Sequence, residues 1–152
     1  MAKLQAPLLQ AEEIHRLVGR ARRRLWLTTS RCLEERGESP FRWHVVCYLV
    51  RNGATTQRDL AYATAQHPAG ISRLVEELEA DGFVTRAHAA GDRRKLVVRA
   101  TAKGKAWFES LAPRVNAAAL EAMGNLSRPE RRALRDLLRK LLAEPAVQRM
   151  RP

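Results

Sequence analysis

The sequence predicts a mainly α fold with a small β-hairpin (α+β). Three observations predict it. Apolar residues recur at helical spacing over most of the chain. The period changes to two only between Phe83 and Ala100. Capping and stop residues punctuate the helical stretches at regular intervals. The 152 residues fit one domain, 1–152, with a single core.

Residues 11–36 are expected to form a long amphipathic helix. Ile14, Leu17, Val18, Ala21, Leu25 and Cys32 follow its apolar stripe, Arg16, Arg20, Arg23 and Arg24 lie largely off it, and Gly37 ends it. Ser39 then caps a second helix with Pro40 at its first position, and Asn52-Gly53 closes that helix. Thr56 to Asp59 is a near capping box that opens a short third helix. His67-Pro68 begins a fourth. Its apolar side is Ile71, Leu74, Val75 and Leu78, its opposite side Ala69, Ser72, Arg73 and Glu76, and Asp81-Gly82 stops it.

Phe83 to His88 reads as a strand, Ala89 to Asp92 as a turn, and the alternation of Leu96, Val98 and Ala100 as a second strand. Thr101 caps a fifth helix carrying Phe108, Leu111, Val115, Ala118 and Ala122, with a kink expected at Pro113. Ser127 to Glu130 is a full capping box. It opens a last helix striped with Leu134, Leu137, Leu138, Leu141 and Leu142, and fraying is expected after Pro145. The two end stretches, 11–36 and 101–144, have apolar stripes but few neighbours in the middle of the chain. Burial against each other and against a second copy is the simplest solution, so a homodimer is expected.

The net charge is +12, spread evenly, with each third of the chain at +4. A basic balance favours a polyanionic partner, because neutralised phosphates release condensed counterions. The apolar run Val45–Val50 is far shorter than the roughly 20 residues of a membrane helix. No signal-peptide pattern opens the chain, so no membrane association and a cytoplasmic location are expected. Cys32 and Cys47 lack CxxC spacing, and Cys32 reads as a small core residue. His44 and Cys47 lie three apart, but two ligands do not make a metal site. No nucleophile elbow or phosphate-cradling glycine loop is present, so neither an enzyme, a cofactor nor a metal is expected.

A short helix, a tight turn and a second helix with a polar outer face make a helix-turn-helix. The second helix fits the major groove of duplex DNA and its first residues meet base edges. Those residues are His67, Ala69, Gly70, Ser72 and Arg73. Gln57 opens the preceding helix, where backbone N–H groups attract phosphate. The hairpin turn carries Asp92, Arg93, Arg94 and Lys95. An arginine on a narrow ribbon suits the minor groove, and Asp92 can hold a neighbouring arginine in place. Residues 55–100 are thus the expected winged helix-turn-helix DNA-binding lobe, flanked by dimerisation helices at 11–36 and 101–144. Trp26, Phe41, Trp43 and Trp107 are candidates for an aromatic ligand pocket or for core.

The stretch from Thr56 to Gly104 resembles the DNA-binding lobe of the MarR family. It does so through Thr56-Gln57, Leu60-Ala61, Arg73-Leu74-Val75, Leu78-Glu79, Asp81-Gly82-Phe83-Val84, Asp92-Arg93-Arg94, and Thr101 with Gly104. Ser127 to Arg131 and the leucines after it resemble that family's last helix. The resemblance implies a homodimeric regulator of transcription on a pseudo-palindromic double-stranded DNA operator. In such a regulator Asp92 and Arg94 shape the wing. It also implies repression relieved by an effector, here a small aromatic or phenolic molecule, or by an oxidised cysteine. His67-Pro68-Ala69-Gly70 departs from the family's hydroxyl-rich pattern and supplies fewer base-edge donors. Two other functions fit the residues: a non-specific architectural DNA-binding protein, and a winged-helix module for protein interaction.

Overall fold

The computed structural model describes residues 2–89 and 92–143, with side chains described over 10–88 and 95–143. The order of elements is α1 (Ala2–Glu34), α2 (Pro40–Asn52), β1 (Thr55–Thr56), α3 (Gln57–Thr64), α4 (Pro68–Ala80), β2 (Val84–Ala89), β3 (Asp92–Ala100), α5 (Ala102–Ala122) and α6 (Arg128–Leu142).

The capping chemistry places most boundaries. Ser39, Thr56, Thr101 and Ser127 accept from backbone N–H groups in the first turns of α2, α3, α5 and α6, and Ser127 with Glu130 completes the reciprocal box. Gly82, at φ +75°, lets the chain leave α4, and the Phe83 amide closes back on the Leu78 carbonyl at 2.8 Å. The first helix starts at Ala2 rather than at 11, because nothing in the stretch before 11 supplies a cap to start it later. It ends at Glu34, with Gly37 in the left-handed region just beyond. Helix α5 continues past Pro113 to Ala122.

The sheet has three strands rather than the two of a hairpin. Its order is β1-β3-β2, all antiparallel, with Thr55 opposite Val98 and Val84 opposite Ala100. The two-residue β1 is too short to carry a period of its own. The hairpin is also longer than its alternation suggests. Ala89 and Asp92, expected in the turn, are paired strand residues, and the register slips between His88 and Ala89. Ala90, Gly91 and the tail after Pro145 lie outside the described residues.

The core gathers Leu33, Val45, Val46, Leu60, Ile71, Val75, Leu78, Val84, Val98 and Phe108. It joins the end of α1, the inner faces of α2, α3 and α4, the foot of the sheet and the first half of α5. The outer parts of the end helices contribute nothing to it. Ile14, Leu17 and Val18 on α1 are exposed, and α6 buries none of its residues. Among the described residues no helix is long and apolar enough to cross a membrane.

Candidate nucleic-acid interface and aromatic seam

Helix α4 stands with one side against the core and the other in solvent. Ile71, Val75 and Leu78 are fully buried and Leu74 is half-buried. His67, Ala69, Gly70 and Arg73 are exposed, and Ser72 is partly so. This division follows from the 3.6-residue period, because the core takes positions 71, 75 and 78 and leaves 69, 70 and 73 outside. His67 is the N-cap, and its Nδ1 accepts from the Ala69 amide at 3.3 Å. The imidazole therefore serves the helix start, and the amides beyond it belong to a helix N-terminus that attracts anions.

The turn before α4 places Ala65 in the left-handed conformation, at φ 51°. Gln57 at the start of α3 is partly buried, and its Nε2 has no hydrogen-bond partner among the described residues. Lys95 is exposed on β3. The backbone of Asp92, Arg93 and Arg94 forms the first residues of β3, while the roles expected of their side chains lie outside the described residues.

The outer face of α4 and the hairpin are joined by an ionic cluster that pattern reading missed. Arg86 on β2 donates from Nε to Glu79 at 2.8 Å, and its Nη2 lies 2.6 Å from the same carboxylate. The backbone N–H of Arg86 donates to the other Glu79 oxygen at 2.9 Å, and Nη1 reaches Glu76 at 3.5 Å. The guanidinium and amide of Arg86 hold the Glu79 carboxyl below the usual range. The available signal was the i, i+3 spacing of Glu76 and Glu79, with an arginine seven residues beyond Glu79.

Of the four pocket candidates, the structure brings three together. Trp26 from α1 lies 5.2 Å from the Phe41 ring and 4.7 Å from the His44 ring. Trp43 meets His44 edge-on and packs on Phe108 of α5. Trp107 stands apart. It stacks on Phe83 at 4.9 Å and donates its indole N–H to Glu38 at 3.1 Å, pinning the α1–α2 turn to α5. In the seam between α1 and α2, Ser30 Oγ and Trp43 Nε1 are buried with no hydrogen-bond partner among the described residues. His44 Nδ1 donates to the Pro40 carbonyl at 2.7 Å, and burial pushes the imidazole pKa down. Burial likewise pushes the Cys47 thiol up, with Arg51 opposing. Sequence reasoning placed His44 only in a doubtful metal pair and passed over Ser30, because neither carries a pattern along the chain.

A shallow open cleft connects this seam with the outer face of α4. Phe41 lines it together with Ser39, Gln66, Gly70, Arg73 and Leu74. One side of the cleft is thus a residue of the aromatic seam and the other is the outer face of α4.

A family model described as the MarR family matches residues 39–95, from the cap of α2 into β3. The transcriptional repressor NicR of Pseudomonas putida is 36% identical over 97 residues, which are 64% of this chain and 61% of NicR. The chain thus spans less than two thirds of that relative. The transcriptional regulator BilQ of Clostridium symbiosum is 29% identical over 72% of this chain and 76% of BilQ. Among solved structures, BpsR of Bordetella bronchiseptica, whose DNA binding is regulated by 6-hydroxynicotinic acid, superposes with a TM-score of 0.70. It is 28% identical and covers 87% of this chain and 94% of BpsR. A mutant MarR of E. coli complexed with operator DNA shares the fold, with a TM-score of 0.70 at 22% identity, covering 88% of this chain and 96% of MarR.

Proposed function

The chain belongs to the MarR family, and from that premise we propose that it is a sequence-specific regulator of transcription. It binds a pseudo-palindromic duplex as a homodimer and loses affinity when a small aromatic acid binds. The observation that carries this reading is the two-sided α4. Its inner face is locked into the core by Ile71, Val75 and Leu78, so its exposed face is held rigidly next to the hairpin. Arg73, one turn into that face, has the reach for a bidentate contact with a guanine edge. Arg94, in the wing, supplies a minor-groove or phosphate cation.

The aromatic seam supports the effector. Trp26, Phe41 and His44 offer ring faces, and Ser30 Oγ and Trp43 Nε1 are buried polar atoms with no hydrogen-bond partner among the described residues. A buried polar atom without a partner costs about 1–3 kcal/mol, which a ligand with a carboxylate or ring oxygen would recover. BpsR, with its 6-hydroxynicotinic acid, points to the same class of molecule. Phe41 links this seam to the cleft shared with Arg73, which gives the effector a short route to the reading surface.

Selection of bound sites from a random-sequence duplex pool tests the function. The recovered site should bind about a thousandfold or more tighter than random duplex at physiological salt. Equal binding would instead favour an architectural role. Arg73→Ala should lose about 1–3 kcal/mol on the preferred site and relax specificity, whereas Arg94→Ala should weaken all duplexes and lower the salt slope by about one. Unchanged affinity in both variants would remove the assigned reading surface. Titration with 6-hydroxynicotinic acid, followed by tryptophan fluorescence, should quench Trp26 or Trp43 and release the duplex. A silent titration would exclude that effector.

A further inference from the structure

We propose that Arg86, gripped by Glu79 and Glu76, is a positioning residue that sets the angle between the wing and the reading helix, and that it acts without touching DNA. The inference rests on the DNA-binding reading above and adds a part to it. Glu79 lies in the last turn of α4 and Glu76 one turn earlier, on the helix that carries Arg73. Arg86 lies on β2, paired with Val98 of β3. The foot of the hairpin is fixed by burial of Val84 and Val98. Ala87 and His88, farther along β2, are exposed and leave the core. The Arg86 cluster ties hairpin to helix at this point of departure.

The geometry of the tie is that of a joint. Both Glu79 oxygens are engaged, one by the Arg86 backbone amide at 2.9 Å and the other by its guanidinium at 2.6–2.8 Å. A backbone and a side-chain bond to one carboxylate fix orientation as well as distance. The lever is long enough for that to matter. From Val84 to Ala89 a strand extends about 17 Å, so a tilt of about 10° at the foot moves the tip by about 3 Å. A displacement of that size breaks any hydrogen bond the wing makes, since these tolerate only a few tenths of an ångström. The carboxylates also occupy the cation that would otherwise be drawn to phosphate.

Charge makes the test decisive. Glu79→Gln removes an anion from a surface that faces a polyanion, so on charge alone the variant binds DNA more tightly. Positioning predicts the opposite: about a tenfold loss on the selected duplex, with the salt slope unchanged. Arg86→Met should lose a similar factor, and the double variant no more than either single one. Fluorescence anisotropy at several salt concentrations measures all three, with thermal unfolding run in parallel to confirm that each variant is folded. Should Arg86→Met fail to fold, Glu79→Gln, at a partly exposed site, carries the test by itself. Tighter or equal binding by folded Glu79→Gln would overturn the proposal, as would a lowered salt slope in Arg86→Met, which would make Arg86 a phosphate contact. A DNA-free arm separates this failure from that of the DNA-binding reading. Spin labels at Glu77→Cys and His88→Cys, with Cys32→Ser and Cys47→Ala, should give a narrow distance distribution that broadens on Glu79→Gln. An unchanged distribution would overturn the joint even if the protein reads DNA as proposed.

Discussion

At the scale of single residues, the sharpest constraint is Gly104. A Cβ there would fall well inside van der Waals contact with the Phe83 carbonyl oxygen, a backbone atom that also accepts from the Thr101 amide. Gly104→Ala should therefore destabilise the protein by about 1–3 kcal/mol or more, read as a lower midpoint in urea. An unchanged midpoint would mean that α5 can shift away from β2 freely. His44 yields a prediction in pH. Its pKa is pushed below the ordinary value of 6.5, chiefly by burial and against the Pro40 hydrogen bond. In the window between the folded and unfolded values the unfolded chain binds more protons. The stability held by neutral His44 is thus fully present above about pH 6.5 and is lost as pH falls from there toward the folded value. His44→Phe should flatten this part of the stability profile. An identical acid slope in the variant would assign the dependence elsewhere.

Among elements, the joint between α4, β2 and α5 ties together the parts that carry the proposed reading surface. Thr101 donates its hydroxyl to the Gly82 carbonyl at 2.7 Å and accepts from the Gly104 amide at 3.0 Å, so one side chain both caps α5 and closes the end of α4. Lys103 adds a bond to the Asp81 carbonyl, Arg42 of α2 pairs with the Asp81 carboxylate, and both cations sit over the Phe83 ring. Thr101→Val keeps the shape and removes both hydroxyl bonds, and should lower stability by about 1–2 kcal/mol. Thermal unfolding of the variant checks this, and no change in midpoint would show that solvent replaces the cap. Much of this joint was legible in advance. Asp81-Gly82 announced a helix stop, and Thr101 a cap. The partners were not, because the contacts among Arg42, Asp81, Phe83 and Lys103 span up to 41 positions and carry no local period.

At the scale of the whole molecule, the end helices carry apolar side chains that the rest of the described chain leaves exposed. Leu137 and Leu141 on α6 are about two thirds exposed, and Ile14 and Leu17 on α1 half exposed. A stripe of that size calls for a covering surface, and in the homodimer proposed above a second copy of the chain would supply a matching one. Leu137→Glu with Leu141→Glu should yield a monomer by sedimentation at micromolar concentration. The monomer should bind a two-half-site duplex at least a hundredfold more weakly, since only one reading head engages at a time. A dimer that persists in the double variant would place the interface elsewhere.

Local order was written along the chain: the caps at Ser39, Thr56, Thr101 and Ser127, the stop at Gly82, and the inward and outward sides of α4. Each of these depends on groups within a few residues of one another, so spacing alone determines them. Folding in three dimensions decided what no spacing encodes: the third strand at Thr55–Thr56, the separation of Trp107 from Trp26, Phe41 and Trp43, the lack of hydrogen-bond partners among the described residues for Ser30 Oγ and Trp43 Nε1, and the grip of Glu79 on Arg86. These arise where distant segments meet, and there the outcome is set by shape and by which polar groups are left to find partners once the apolar faces have closed.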